Sequence, residues 1–265
     1  SVFHAWNAVR HAVRGEGTAA GLRVAAAARF ALGPAEYWRF PELTEAEDRR
    51  GWRSLFHVFA GRGAAGGGLA LRLMDPSYEP GDPPLGPELR RLIGEGWDVG
   101  LHPSFASWGD ADRLRRERDA LSEAVGAEIV RCRQHWLRFS WQRTWIAQAR
   151  AGLRFDTTLG FNDRPGFRTA AALAYRPEPA APELLALPMV LMDAHLYDYR
   201  PMDAEARQAA MDRVLGEIRA VRGQASLLWH QRVLSPDYGW EYEELLDAVE
   251  RNGLSVMRPE ADLPA

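Results

Sequence analysis

Three histidines each close an apolar segment of the chain: His102, His135 and His230. An imidazole can bind a metal ion or transfer a proton near neutral pH. The carboxyl ends of parallel strands meet at one edge of a sheet, so histidines at three strand ends would converge there. For any one of them alone, a core imidazole bonded to a carbonyl group is the more common outcome. Their recurrence at three segment ends favours a metal or acid–base site.

Three aspartates occupy positions that suit the same site. Asp156 and Asp193 follow apolar segments, where a carboxylate can bond an imidazole and fix its tautomer. A helix N-cap or a solvated carboxylate is the alternative for both. Asp75 lies in a loop rich in proline and glycine, where it could bind a metal or a substrate hydroxyl, although an aspartate before proline also commonly starts a turn. A glycosidase would need two acids about 5 to 9.5 Å apart, and no spacing in the sequence singles out such a pair.

Short apolar segments alternate with helix-period segments along residues 55–265, a pattern typical of a parallel sheet with crossover helices. The strands are predicted at residues 55–60, 97–101, 129–133, 153–157, 185–192, 225–230 and 254–257. Residues 1–54 contain no predicted strand, and a helix is expected at residues 24–32. We therefore predict an α/β protein in which a helical N-terminal segment, residues 1–54, joins a β/α region, residues 55–265, in a single domain overall.

The composition excludes several classes of function. The chain has 265 residues and a formal charge of −3, and all of its 33 basic residues are arginines. Without lysine it cannot perform Schiff-base or P-loop chemistry. The basic residues are scattered, so nucleic acid is not an expected partner. No apolar run reaches the roughly 20 residues of a membrane span, and no signal peptide opens the chain. A cytoplasmic location is the expectation, with an upstream segment left open.

Four segments, in order, resemble motifs of the polysaccharide deacetylase family, the NodB-like carbohydrate esterases. Residues 96–104 resemble the strand that delivers a metal-binding histidine, and residues 131–139 resemble the Arg-Gln-His-x-Leu-Arg-Phe segment of one branch of the family. Residues 155–168 resemble its Tyr-Asp-Ser-Thr-Leu-Gly block. Residues 227–230 resemble the late Leu-x-His motif. The four motifs in this order are specific to the family, although no single one of them is.

The resemblance implies a distorted (β/α)7-type barrel that binds a divalent metal, with zinc expected, and removes N-acetyl groups from an acetylated amino sugar or polysaccharide. It implies that His102 and His135 bind the metal, that His230 is the general acid and that Arg133 orients the catalytic base. We add Asp156 as a catalytic candidate. The candidates for binding the carbohydrate are Asp75, Tyr78, Trp136, Arg138, Arg164 and Trp229. Trp108 could also stack on a sugar ring, and Arg168 could bind an anionic group, although core packing and surface ion pairing are the common roles of such residues.

Two departures from the family pattern affect this prediction. The family's second metal histidine, four residues after the first, is Ala106 here, and His135 would replace it. The family's opening strand ends in an Asp-x-Asp type motif, which does not occur before Leu55. We therefore expect either a barrel that lacks its first strand, because the chain begins downstream of that motif, or Asp75 in its place. The alternative function is a catalytically inactive carbohydrate-binding or scaffold domain of the same fold. The oligomeric state stays open.

Overall fold

The structure is a computed structural model. It describes residues 38–61, 74–76, 78–177, 179–199, 202–231 and 241–257, together with a few isolated positions between 8 and 24. Within these residues the strands are β1 (Leu55–Phe59), β2 (Asp98–His102), β3 (Arg131–Cys132), β4 (Phe155–Asp156), β5 (Leu185–Ala186), β6 (Met189–Met192) and β7 (Ser226–Leu228). The α-helices are α1 (Phe40–Asp48), α2 (Leu85–Gly94), α3 (Ala111–Val125), α4 (Thr144–Arg150), α5 (Asp193–Tyr197), α6 (Ala204–Ala220) and α7 (Glu241–Arg251). The predicted helix at residues 24–32 lies almost wholly outside the described residues.

The strands form two parallel sheets. β1 to β5 form one sheet in sequence order, and β6 pairs with β7 in the other. This confirms the predicted α/β class with a parallel sheet. The predicted strand at 185–192 is two strands, because the chain leaves the ladder at residues 187–188. Residues 254–257, predicted as a strand, are not in a strand.

The absence of the family's first strand stays a prediction. β1 forms one edge of the larger sheet and pairs in register with β2, so that Phe59 lies beside His102. Phe59 and Ala60, both buried, therefore occupy the end of β1. The described end of this strand carries no carboxylate next to the histidine strand.

Polar side chains fill the interior that the strands enclose. Arg133, after β3, donates from Nε to the Thr157 carbonyl at 3.2 Å and from Nη2 to the Ser226 hydroxyl of β7. Arg131 forms an ion pair with Asp98 of β2, at 3.4 Å. The bond from Arg133 to Ser226 connects the large sheet to the small one.

The opposite faces of the strands pack against the helices. One hydrophobic cluster joins β2 to α2 and α3, and a second joins β6 to α6 and α7. The apolar side chains of α6 are buried from Met211 to Ile218. Val221 is 58% exposed because it lies after the helix ends.

A buried carboxylate joins α1 to the rest of the molecule. Glu47, 2% exposed, accepts hydrogen bonds from the Trp97 indole at 2.6 Å, the Tyr242 hydroxyl at 2.6 Å and the Ser54 amide at 3.0 Å. Residues 40–54 are therefore fixed to both β2 and α7. None of the helices in the described part of the chain has the length and apolarity needed to cross a bilayer.

Candidate functional site

His102 and His135 meet at the carboxyl ends of β2 and β3. His135 Nδ1 lies 2.8 Å from His102 Nε2. The other ring nitrogen of each histidine lies 2.7 Å from a backbone carbonyl: Arg133 O for His102 and Met74 O for His135. Two imidazoles separated by 33 residues in sequence thus form one pair, as the sequence predicts.

The protonation of this pair shows what it can bind. Carbonyl oxygens only accept hydrogen bonds, so each imidazole donates its N–H to its own carbonyl. Burial, with a smaller contribution from the neighbouring His135, holds the pKa of His102 well below its usual value, and burial also lowers the pKa of His135. When both neutral rings donate to their carbonyls, the two remaining nitrogens point lone pairs at each other. A proton or a cation between them, or a change of tautomer in one ring, removes that repulsion. Metal-binding histidines commonly donate their second N–H to a carbonyl in this way.

His230 lies near the same pair and is held by a buried carboxylate. Asp193, fully buried at the end of β6, accepts a hydrogen bond from His230 Nδ1 at 2.7 Å and another from the His230 amide at 3.2 Å. The His230 side chain is 38% exposed. The charge of His230 contributes to lowering the pKa of His102 and of His135, so the three imidazoles share one region.

Asp75 contacts the loop that follows β2. Its Oδ1 accepts a hydrogen bond from the Phe105 amide at 2.7 Å, and its charge acts to raise the pKa of His135. The same loop is held from beneath by Glu117 of α3, which accepts bonds from the Ser104 amide at 2.9 Å and from the Ser107 hydroxyl at 2.8 Å. Asp75 therefore lies near His135, bonded to a loop whose position Glu117 of α3 fixes.

A short 3₁₀ turn, His135–Leu137, carries an exposed aromatic side chain next to the pair. Trp136 and Leu137 both adopt positive φ, 59° and 50°, a conformation that costs about 1 kcal/mol or more for residues with a Cβ. The Trp136 ring, 37% exposed, meets the rings of His135 and Phe105 edge-on, with centroids 6.2 and 6.4 Å apart. Strained backbone of this kind clusters at functional sites.

Three solved structures superpose on this chain. One is a crystal structure from Mycobacterium smegmatis that is described as a polysaccharide deacetylase. It superposes with a TM-score of 0.53 at 17% sequence identity, over 85% of this chain and 80% of that one. A deacetylase structure from Pseudomonas aeruginosa PAO1 gives a TM-score of 0.49 at 13% identity over 91% and 73% of the two chains. The Xyl-CE4 domain of a xylanase from the hindgut metagenome of Trinervitermes trinervoides gives 0.42 at 9% identity over 85% and 82%. Neither the protein-family models nor the curated proteins gave a match to the sequence.

The chain has the fold of a polysaccharide deacetylase. This follows from the superposition on the Mycobacterium smegmatis structure. Within the deacetylase fold, the imidazole pair and the Asp193–His230 pair lie at the carboxyl ends of β2, β3, β6 and β7, the edge at which α/β proteins carry out chemistry. A fold hosts several reactions, so the function has to be argued from these side chains.

The imidazole pair offers two nitrogen donors of the kind that metal sites use. Among the residues that the structure describes, no three His, Cys, Asp or Glu side chains are arranged around one point as metal ligands. His102 and His135 supply two nitrogens, whose 2.8 Å separation is shorter than the roughly 3.3 Å that two tetrahedral zinc ligands at about 2.0 Å would have. The donor chemistry thus fits a divalent cation, and its binding requires the two rings to separate slightly.

Asp156 occupies a different position from the one predicted for a catalytic group. Its buried carboxylate accepts bonds from the Trp145 indole at 3.0 Å, from Gln148 at 2.8 Å and from the Thr158 hydroxyl. These donors lie on α4 and after β4, behind the site, and none is an imidazole. The carboxylate that bonds an imidazole is Asp193, because β6 and β7 are adjacent strands.

Arg133 also differs from its predicted role of orienting a catalytic base. It crosses the interior between the sheets, and among the described residues no carboxylate accepts a bond from it. Burial lowers its pKa to about 10, an effect that the charge of Asp156 opposes.

The predicted carbohydrate-binding residues divide into two groups. Trp136 and Arg138 lie beside the imidazole pair. Trp229 packs between Tyr197 and Tyr242, with ring centroids 6.1 and 5.8 Å away, because neighbouring residues of an extended segment point to opposite faces and His230 takes the site face.

Tyr78 and the two loop arginines have structural partners. The Tyr78 hydroxyl accepts a bond from the Phe59 amide at 3.0 Å and so holds the end of β1. Arg164 pairs with Asp163 at 3.1 Å on an exposed loop. Arg168 donates to the Gly160 carbonyl at 3.2 Å.

The sequence prediction missed one histidine of this region. His57 of β1 lies 3.5 Å from the Thr157 hydroxyl, and burial, the charge of Arg133 and that of His102 hold its pKa well below the usual value. It lies in the middle of a strand and not at the end of an apolar segment. The alternation of Leu55, His57 and Phe59 along one face of β1 is the sequence signal that could have located it.

Proposed function

We propose that this chain is a hydrolase that removes N-acetyl groups from an acetylated amino sugar or polysaccharide, with a divalent metal, zinc foremost, held by His102 and His135. The observation that supports this most is the pairing of a buried carboxylate, Asp193, with His230 at 2.7 Å beside the two facing imidazoles. The deacetylase fold supports it as well. When bound, the metal would polarise the acetyl carbonyl and lower the pKa of a bound water.

The proton transfer would belong to His230. Asp193 accepts the bond from its Nδ1, so we assign the proton exchange to Nε2. The described end of β1 has no carboxylate to act as a base. We therefore assign both steps to the same imidazole: Nε2 accepts a proton from the attacking water and then donates it to the departing amine, which otherwise leaves poorly.

Acetate release and metal content test this function together. Purified protein would be treated with zinc, analysed for bound metal, and incubated with an N-acetylglucosamine oligosaccharide. We expect bound zinc and acetate release, loss of both in His102→Ala, and loss of acetate release alone in His230→Asn. Gln142→Ala, at an exposed position, is the control. Acetate release that continues unchanged in His102→Ala and His230→Asn would refute the proposal.

The second candidate is a carbohydrate-binding domain without activity. The observation in its favour is that the described residues provide two nitrogen donors rather than three ligands around a point. Binding of the oligosaccharide that a chelator does not weaken, with no acetate released, would identify this function.

A further inference from the structure

Beside the imidazole pair, two arginines stack on one tryptophan. The guanidinium carbon of Arg138 lies 5.2 Å from the ring centroid of Trp108, and that of Arg143 lies 5.1 Å from it. We call Trp108, Arg138 and Arg143 the arginine–tryptophan surface. Arg138 also lies 4.1 Å over the ring of Phe105. Phe105 meets the Trp136 ring, which meets the ring of His135, so these two aromatic side chains connect the surface to the imidazole pair.

The orientation of Arg138 is fixed without the help of an acid. Its Nη1 donates to the Phe105 carbonyl at 2.6 Å, and stacking holds the plane of the group. Partial burial lowers its pKa, but an arginine stays charged at neutral pH. Within the described part of the chain, neither Arg138 nor Arg143 forms an ion pair. The sequence of residues 62–73, near Asp75, contains no acidic residue either.

Two positive charges on one ring repel each other, and a bound anion would relieve that repulsion. The whole chain is slightly acidic, at −3, so this positive potential is local to the site rather than a property of the molecule. Guanidinium groups match carboxylates in geometry and bind them through two parallel hydrogen bonds. The rings of Trp108 and Trp136 supply apolar faces, which suit the faces of sugar rings.

From these contacts we infer that the arginine–tryptophan surface is a subsite for the carboxylate of an acidic sugar, next to the sugar whose acetyl group reaches the imidazole pair. The inference rests on the proposed function and narrows its substrate to a carboxylated, N-acetylated glycan. Arg138 binds the carboxylate in this subsite, and exposed Arg143 adds to the potential.

Calorimetric titration with two glycans of equal length tests the subsite. One is a hyaluronan oligosaccharide, in which glucuronate alternates with N-acetylglucosamine, and the other is the neutral chitin oligosaccharide. We expect the wild type to bind the carboxylated glycan at least about tenfold more tightly, the effect of one good charge-assisted pair. The preference should fall by about tenfold or more in Arg138→Met, by less in Arg143→Gln, and with added salt.

The controls separate the subsite from the chemistry. Arg154→Gln removes the same charge from the surface, where Arg154 pairs with Glu128 at 3.4 Å, and it should keep the full preference. If Arg138→Met does not fold, Arg138→Lys and the exposed Arg143→Gln replace it. Equal binding of both glycans by the wild type, no binding of the carboxylated one, or a preference that survives in the arginine variants would overturn the inference.

Acetate release measured in the same samples distinguishes a failure of the proposed subsite from a failure of the proposed function. Preferential binding of the carboxylated glycan without acetate release would refute the proposed function and leave the subsite standing. Release from both glycans at equal kcat/KM, unaffected by the arginine variants, would refute the subsite and leave the function standing.

Discussion

At the scale of single residues, the buried carboxylate of Asp193 is the group on which the orientation of His230 depends. Asp193→Asn keeps the shape but presents an amide that can no longer stabilise the imidazole in its charged form. We expect the rate of acetate release to fall by about 10² to 10⁴ while the protein remains folded. Steady-state kinetics and circular dichroism measure the two effects.

The control for this variant is Asp163→Asn, whose carboxylate pairs with Arg164 on an exposed loop. It should leave the rate unchanged. If Asp193→Asn retains the full rate, the assignment of both proton transfers to His230 is wrong.

Glu117 predicts a pH dependence of stability. Burial raises the pKa of this carboxyl, against the opposing effect of the Ser104 and Ser107 hydrogen bonds. The folded protein therefore holds the proton more tightly than the unfolded chain, whose pKa is about 4.3. The contribution of this group to stability is most favourable below that pH and declines as pH rises towards the higher folded value.

Glu117→Gln removes this titration. Denaturant unfolding of wild type and variant would be measured between about pH 4 and 8. As the pH rises, the free energy of unfolding of the wild type should decline relative to that of the variant. Parallel pH profiles would contradict the assignment.

At the scale of secondary-structure elements, Gly160 sets how closely the segment after β4 approaches β6. A Cβ at this position would lie 2.5 Å from the Met189 carbonyl oxygen, a backbone atom that cannot move aside. Gly160→Ala should therefore destabilise the protein by about 1 to 3 kcal/mol. Denaturant unfolding would measure the change.

Gly216, within α6, is the matched glycine. A Cβ there would meet its nearest atom, of Asn252, only at 4.0 Å. Gly216→Ala should stabilise the protein by up to about 1 kcal/mol, since alanine favours a helix. If the two substitutions change the free energy of unfolding equally, the approach of the segment after β4 to Met189 does not require a glycine at position 160.

The elements also show how much of this molecule can be predicted from its sequence. The strand-end positions of His102 and His135 follow from where apolar segments stop, and their convergence follows from parallel pairing. The choice between Asp156 and Asp193 could not be made, because both follow apolar segments and only the adjacency of β6 and β7 decides it. The burial of Glu117 could not be predicted either, since it lies in a helix with many charged residues and its partners, Ser104 and Ser107, come from the loop after β2.

At the scale of the whole molecule, Glu47 links the segment before β1 to the last helix. Its three donors belong to three parts of the chain, so Glu47→Ala leaves the Trp97, Tyr242 and Ser54 groups without their acceptor. We expect a loss of at least about 3 kcal/mol in the free energy of unfolding. Tryptophan fluorescence during denaturant unfolding would measure it.

The control is Glu45→Ala on the same helix, where the carboxylate is 75% exposed and pairs with Arg49. Its effect should be at most about 1 kcal/mol. If Glu47→Ala proves equally mild, these three hydrogen bonds contribute little to holding residues 40–54 against the β/α region.

The positive φ angles of Trp136 and Leu137 have a consequence for how this site can evolve. Glycine at position 136 would relieve the backbone, yet it would also delete the ring that stands beside His135. Selection for thermal stability and selection for activity therefore favour different residues at position 136. Variants selected for stability at high temperature should lose this tryptophan, whereas variants selected for the rate of glycan deacetylation should keep it.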